Sequence, residues 1–279
     1  GLPIIKYEVI TGLTNLAEYL KRVKRKWVKI NRYRGDQETF YHLDYVHTAR
    51  TLEDLAFKWG PLKETIVFVV QDEIETDIEI GYDGLMIDGQ FPKQSYAGYE
   101  AKNQLYLGAL SDYNDLPDHV RLVNEKMAPV LAEYGYRNFF ATEIRVKDDM
   151  PYYIDPTNRM AGQTMEHQLE TCTNLPEVIW AGANGEMVEP EVSDPFAAEA
   201  TMHYTADGSD WKTIRVPEQV EQWTKLAHYC VYDGAYHFPP SKTDEVGVVI
   251  GAGETPAAAI EHLKENFAAF KDEPLRIEL

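Results

Sequence analysis

From Phe140 to Val146, and again from Tyr152 to Asp155, apolar and polar residues alternate with period two, and the polar stretch Lys147 to Pro151 lies between them. The pattern predicts an antiparallel hairpin. Ile144, Val146, Tyr152 and Ile154 fall on a buried side, and Glu143, Arg145, Tyr153 and Asp155 on a polar side. With Asp148-Asp149-Met150 as the loop, Glu143 stands opposite Asp155, their side chains roughly 5 Å apart. Two carboxylates that close repel, unless Arg145 and Lys147 neutralise them or a cation sits between them. Hard ions such as Mg²⁺ take carboxylate oxygens together with the phosphate oxygens of a nucleotide.

Elsewhere the apolar period is helical. Leu16, Tyr19, Leu20 and Val23 follow Thr14 or Asn15 as a cap. The run TLEDLAFKWG predicts a helix beginning at Thr51 or Glu53 and ended by Gly60-Pro61. A third helix carries Val120, Val123, Met127, Val130 and Leu131 as its stripe. A fourth covers AGQTMEHQLETC with Met165 and Leu169 inward, leaving His167 a structural residue, and a short fifth covers NLPEVIW.

Strands are expected on both sides of the loop holding Arg32, Arg34 and Gly35, over ETIVFVVQDEI, and over IETDIEI, with Asp83-Gly84 and Asp88-Gly89 as turns. After about Pro190, strands over EATMHYT, YCVYDGAYHF and EVGVVIGAG mix with helices over PEQVEQWTKLA and TPAAAIEHLKENFAAF. Gly251-Ala252-Gly253 has the look of a phosphate loop, and a turn needing positive φ explains it equally well. The class is α+β, and 279 residues exceed a usual single core.

Charge narrows the partners. A formal net charge of -19 excludes nonspecific binding to nucleic acid or an anionic membrane, both of which need a basic face. Cys172 and Cys230 make neither a disulfide framework nor a metal cluster, which suits a reducing cytoplasm with each as a small core residue. No apolar run approaches the roughly 18 residues of a membrane span, and the start GLPIIKYEVI lacks the pattern of a signal peptide. A soluble cytoplasmic protein is expected. Lys29 ends an apolar run that would hold its stem while freeing its ammonium, and the neighbouring loop adds Arg34; basic groups around a turn suit phosphate.

The order of these pieces resembles the ATP-grasp superfamily over about residues 1–180. GLPIIKYEVITGLTNLAEYLKRVKRKWVKI is similar to the family's "GiP" segment, helix and strand ending in a phosphate-binding lysine. IVFVVQDEIETDIEI resembles its strand, hinge and following strand, and FFATEIRVKDDMPYYIDPTNRM its paired metal-binding strands. VGVVIGAGETPAAAIEHLKENF resembles the C-terminal module of phosphoribosylamine-glycine ligases. The resemblance implies an ATP-grasp lobe over residues 1–66, a second lobe with hinge and metal site over 67–185, and a C-terminal α+β module over 186–279.

It implies ATP and Mg²⁺ as cofactors, held in a cleft between two lobes. Lys29 and Arg34 would meet the phosphates, with Lys102 near them. Gln71, Asp72 and Glu73 would form the hinge at adenine, and Asp77 would take the ribose. Glu143, Asp155 and Asn158 would hold the metal, while Arg159, with Arg145 as a second cation, would steady an acyl-phosphate. Small-molecule carboxylate and amine (or thiol) substrates follow, and the competing expectation is a degenerate domain that binds nucleotide or a protein without ligating anything. The chain departs from the family in three places. Thr157 stands at the usual asparagine position, with Asn158 one step later; the loop NRYRGDQETF has one glycine; and the family's domain before the "GiP" segment is expected to be missing by truncation, unless the chain's own C-terminal module or a partner chain, a homo-oligomer included, closes the pocket.

Overall fold

The computed structural model describes residues 1–31, 39–76, 79–101, 105–205, 210–240 and 244–279, and within residues 162–171 the side chains from 166 onward. It divides into two compact units, Pro3–Glu75, and Thr76–Leu279 with Gly1–Leu2.

The smaller unit contains β1 (Tyr7–Thr11), α1 (Leu13–Leu20), β2 (Lys26–Ile30), β3 (Thr39–His42), α2 (Tyr45–Trp59) and β4 (Val67–Asp72). Its antiparallel sheet has the order β1-β4-β2-β3. Alternate residues Val28, Ile30, Phe68 and Val70 bury against Leu13, Leu16, Leu20, Leu52 and Leu55 of the two helices, and burial stabilises each such side chain by about 1.5–3 kcal/mol. α2 starts at Tyr45 rather than Thr51 or Glu53, because Asp44 accepts the His47 N–H at 3.0 Å. That backbone bond holds the Asp44 carboxyl down at about 2. Neither Thr14 nor Asn15 caps α1: the Thr14 hydroxyl donates to Glu64 Oε1 at 2.6 Å, and the helix enters from Gly12 at φ 91. β4 pairs with β1 and β2 on its two sides, so this unit runs on to Glu75, past the boundary expected at 66.

The larger unit continues with β5 (Glu79–Ile87), β6 (Gln94–Ala101), β7 (Leu105–Asp112), α3 (Asp118–Glu133), β8 (Arg137–Lys147), β9 (Met150–Thr157), α4 (Gly162–Thr171) and α5 (Leu175–Ala183). It closes with β10 (Phe196–Tyr204), β11 (Lys212–Ile214), β12 (Thr224–Leu226), β13 (Cys230–Tyr232), β14 (Ala235–Phe238), β15 (Glu245–Gly253), α6 (Pro256–Ala268) and β16 (Leu275–Arg276). Among the described residues one antiparallel sheet runs β12-β15-β10-β7-β6-β5-β8-β9, with β16 on β10, and a small sheet runs β11-β14-β13. β10, within residues 186–279, continues the ladder from β7, Phe196 facing Ala109 through to Ala200 facing Leu105. One face of β10 and β15 packs Ala198, Ala200, Met202 and Val249 against Ala259 and Leu263 of α6. Val120 and Val123 of α3 bury with Tyr82, Phe140 and Ile144, while Val130 is exposed.

Several local expectations change. Asp83-Gly84 lies inside β5, whereas Asp88-Gly89 is a true turn with φ 48 and 84. PEQVEQWTKLA is not a helix, since only Glu218–Val220 winds as a 3₁₀ turn and Thr224–Leu226 is captured by the edge of β15. Gly251 and Gly253 belong to β15 and lack positive φ. A Cβ at Gly251 would run into the backbone of α6, so that glycine serves strand–helix packing, not a phosphate loop. α4 buries His167, Gln168 and Thr171 while Leu169 is exposed; Cys172 is buried but Cys230 lies at the surface.

Candidate functional site

The hairpin places the two acids as the sequence suggests, by a different route. The turn is the two-residue pair Asp148-Asp149, both in the left-handed region (φ 52 and 59), and a bulge at Glu143/Ile144 then shifts the register by one. Ile144 faces Tyr153 and Arg145 faces Tyr152, after which Glu143 faces Asp155. Tyr153 thus joins Ile144 and Val146 in the core, not the polar face.

Two rows of residues cross the sheet beside this pair. Gly81, Gly98, Gly108 and Ala197 are successive cross-strand partners on β5, β6, β7 and β10. Two residues along each strand, and so on the same face, Glu79, Glu100, Tyr106 and Glu199 are successive partners in turn. A side chain at Gly81 would collide with the Thr142 carbonyl, and one at Gly98 with Asp83 and Tyr106. The glycines leave a floor on which a cavity of about 150 Å³ opens, lined by Glu79, Asp83, Glu100, Tyr106, Glu143 and Thr157 among others. Isolated glycines inside strands mark close approaches, but only the register brings these together, and the lining residues Glu79, Asp83, Glu100 and Tyr106 were not among the expected site residues.

The walls are braced by polar contacts. Tyr106 Oη donates to Asp83 Oδ2 at 2.5 Å, Gln168 Nε2 to the Asp83 carbonyl at 2.8 Å, and the Tyr82 N–H to Thr142 Oγ1 at 2.9 Å. Arg145 forms an ion pair with Glu79, offsetting the repulsion between Glu79 and its cross-strand partner Glu100. Arg159 lies at the surface, its Nη1 donating to the Met160 carbonyl at 2.8 Å. Thr157 lines the cavity; Asn158, just past the end of β9, does not.

In the smaller unit, Lys29 sits on β2 between Thr39 and Val69, and Gln71 and Asp72 end β4. Asp72 is paired with Lys26, and Glu73 accepts from Arg25 Nε at 2.8 Å and Tyr41 Oη at 2.9 Å. Arg34, Asp77 and Lys102 lie outside the described residues.

The donor set fits Mg²⁺. Among the described residues no group of three or more His, Cys, Asp or Glu could hold a metal. Glu143 and Asp155 supply two hard oxygen donors face to face, and Mg²⁺ is usually bound by one or two carboxylates with water and phosphate completing its shell. No helix among the described residues is long and apolar enough to cross a membrane.

No family model and no curated protein matches the chain. Solved structures do. A phosphoribosylamine–glycine ligase from Thermotoga maritima superposes with TM-score 0.68 at 16% identity, covering 100% of this chain and 73% of that one. An L-amino acid ligase from Bacillus licheniformis gives 0.62 at 18%, covering 99% and 68%, and a biotin carboxylase from Campylobacter jejuni 0.59 at 14%, covering 100% and 64%. At such identities the likeness is one of fold, and with the paired strands and acids in place that fold is the ATP-grasp fold.

Proposed function

We propose that the chain is an ATP- and Mg²⁺-dependent ligase that activates a carboxylate as an acyl-phosphate and passes the acyl group to an amine or thiol. The observation that carries this reading is Glu143 facing Asp155 beside a glycine-floored cavity. In the reaction a carboxylate oxygen attacks the γ-phosphorus as the bond to ADP breaks; the nucleophile then attacks the acyl carbon, phosphate leaves, and the nucleophile gives up its proton. Phosphate is the leaving group, so no protein nucleophile is required. The structures named above include a phosphoribosylamine–glycine ligase and an L-amino acid ligase, which supports the same class.

Each residue answers a need of that chemistry. Glu143 and Asp155 would hold Mg²⁺, which would neutralise phosphate charge when bound. Lys29 and Arg34, with Lys102, would add positive charge at the phosphates, and Arg159 would steady the developing charge on the acyl-phosphate. Arg145, paired with Glu79, acts by positioning. Gln71, Asp72 and Glu73 would offer the hinge to adenine and Asp77 would meet the ribose, while Asn158 would complete the metal shell only by displacing Thr157 from its place. The domain limits proposed for function are 3–75, and 76–279 with 1–2.

The test is ADP release from the chain with Mg²⁺ and a panel of carboxylates, with and without amines. Release that needs both Mg²⁺ and an amine is expected. Nucleotide binding that never yields ADP with any pair would identify the degenerate, binding-only alternative.

A further inference from the structure

Beyond the cavity, the acidic row ends at a residue that the ligase chemistry above does not use. Glu199 is 0% exposed, and neither of its carboxylate oxygens has a partner. Its cross-strand neighbour is Tyr106, which lines the cavity. α4 packs over β7, β10 and β15 at this point and brings down His167, which is 1% exposed with neither ring nitrogen hydrogen-bonded. The ring stacks on Tyr106 at 5.6 Å and fills the space a side chain at Gly108 would need. Glu166, beside it in sequence, also has a buried carboxylate oxygen, Oε2, without a partner. Lys225 on β12 adds only its charge, which acts to lower the Glu166 pKa without a hydrogen bond to it, because its Nζ donates to Glu170 Oε1 at 2.5 Å and to the Gln222 carbonyl at 2.8 Å.

Glu199, Glu166 Oε2 and both His167 nitrogens are therefore buried without a hydrogen-bond partner, and a neutral imidazole brings only one N–H to several acceptor sites. A buried polar group without a partner costs roughly 1–3 kcal/mol, more if charged, so an arrangement of this kind calls for a donor from outside. Burial drives His167 neutral, pushing its pKa down to about 3, so one ring nitrogen accepts. Burial, and then the charge of Glu166, raises Glu199 well above the usual carboxylate value, which a bound cation would reverse. A metal fits poorly, since no such group of His, Cys, Asp or Glu is found among the described residues. A primary ammonium, with three N–H donors on a single centre, matches two carboxylates and an imidazole.

Position sets what kind of molecule carries that ammonium. Glu199 on β10 and Glu143 on β8 are separated by β7, β6 and β5, four strand spacings or roughly 19 Å along the sheet. No single small amino group reaches both ends. We propose that Glu199, Glu166 and His167 form a receptor for a primary ammonium that an extended substrate carries remote from its reacting group, as a diamine or a lysine-like amino acid does. The substrate role rests on the ligase reading; the receptor does not.

Calorimetry on the full chain without nucleotide separates the two. Cadaverine or lysine should bind saturably at pH 8, 1,5-pentanediol should not, and Glu199→Gln should weaken the binding about 10- to 100-fold. Melting curves give a second readout. Without ligand the Glu199→Gln protein should melt higher than wild type at pH 8, and cadaverine should raise the melting temperature of wild type alone. Failure of both probes to bind, equal binding by the variant, or a lower melting temperature for the ligand-free variant would overturn the receptor and leave internal water as the occupant. ADP release with monoamines as acceptors, in a chain that binds neither diamine nor lysine, would sustain the ligase and remove the receptor. Binding without ADP release under any condition would do the reverse.

Discussion

The larger unit holds two acid pairs on one side of its sheet, one within the sheet and one between β10 and α4, and they have opposite surroundings. Glu143 and Asp155 face one another at the rim, with Asp155 exposed to water. Glu166 and Glu199 interact under α4, with Glu199 excluded from solvent. Water reaches the first pair and screens the repulsion between its members. Burial gives the second pair no such screen, and at least one member must hold a proton or meet a cation. On the readings proposed above, equal chemistry in two dielectric settings would give a metal-type site in one place and an ammonium-type site in the other.

The widest separation of the pairs should appear in turnover. Asp155→Asn is expected to lower Mg²⁺-dependent ADP release by about 10²- to 10³-fold while leaving the melting temperature unchanged or raised, because a like-charge repulsion is relieved. Steady-state kinetics with a denaturation curve checks both halves; unchanged turnover would remove the metal assignment and erase the contrast.

A stability effect of intermediate size tests the floor between the two pairs. Gly81→Ala pushes a methyl into the Thr142 carbonyl, a main-chain atom that cannot swing aside, and should cost about 1–3 kcal/mol in a urea titration. An alanine tolerated without loss would mean that the strands can part there.

Titration sharpens the contrast further. His167 is held at about 3 against 6.5 for a free histidine, so its unfolded form gains a proton first as pH falls. Stability should therefore be lost progressively as pH drops from 6.5 toward 3, a loss that His167→Gln removes. Glu199 has the opposite sense: with a raised folded pKa it should weaken the fold as pH climbs above 4.5, and Glu199→Gln removes that dependence. Chemical denaturation at a series of pH values reads both slopes. The smallest effect belongs to Asp44, whose cap is fully formed above 3.8 and is lost as pH falls through about 2; Asp44→Ala should lower stability slightly and abolish that last acid step.

How far the sequence could show this depends on whether the determining contacts were local. The hairpin was legible because its alternation lies within a few residues, and the Glu143–Asp155 pairing came out right although the turn was one residue shorter and a bulge made up the difference. The start of α2 was missed because a single side-chain bond from Asp44 decides it. The glycine floor and the buried Glu199 were not legible, since residues 81, 98, 108 and 197 meet only through the registers of four strands. The helical pattern of residues 217–227 lost to an unfilled sheet edge, which no local propensity records.

β9 is the last strand at its end of the sheet among the described residues, and it contains Pro151 and Pro156. A proline has no N–H to offer an incoming strand, and it is tolerated there because an edge needs fewer ladder bonds. The strand that presents Asp155 is thereby a poor template for edge-to-edge growth. In a concentrated solution of a chain as β-rich as this one, the same two residues act as a guard against aggregation, and replacing them with valine would be the quickest way to make this rim a sticky one.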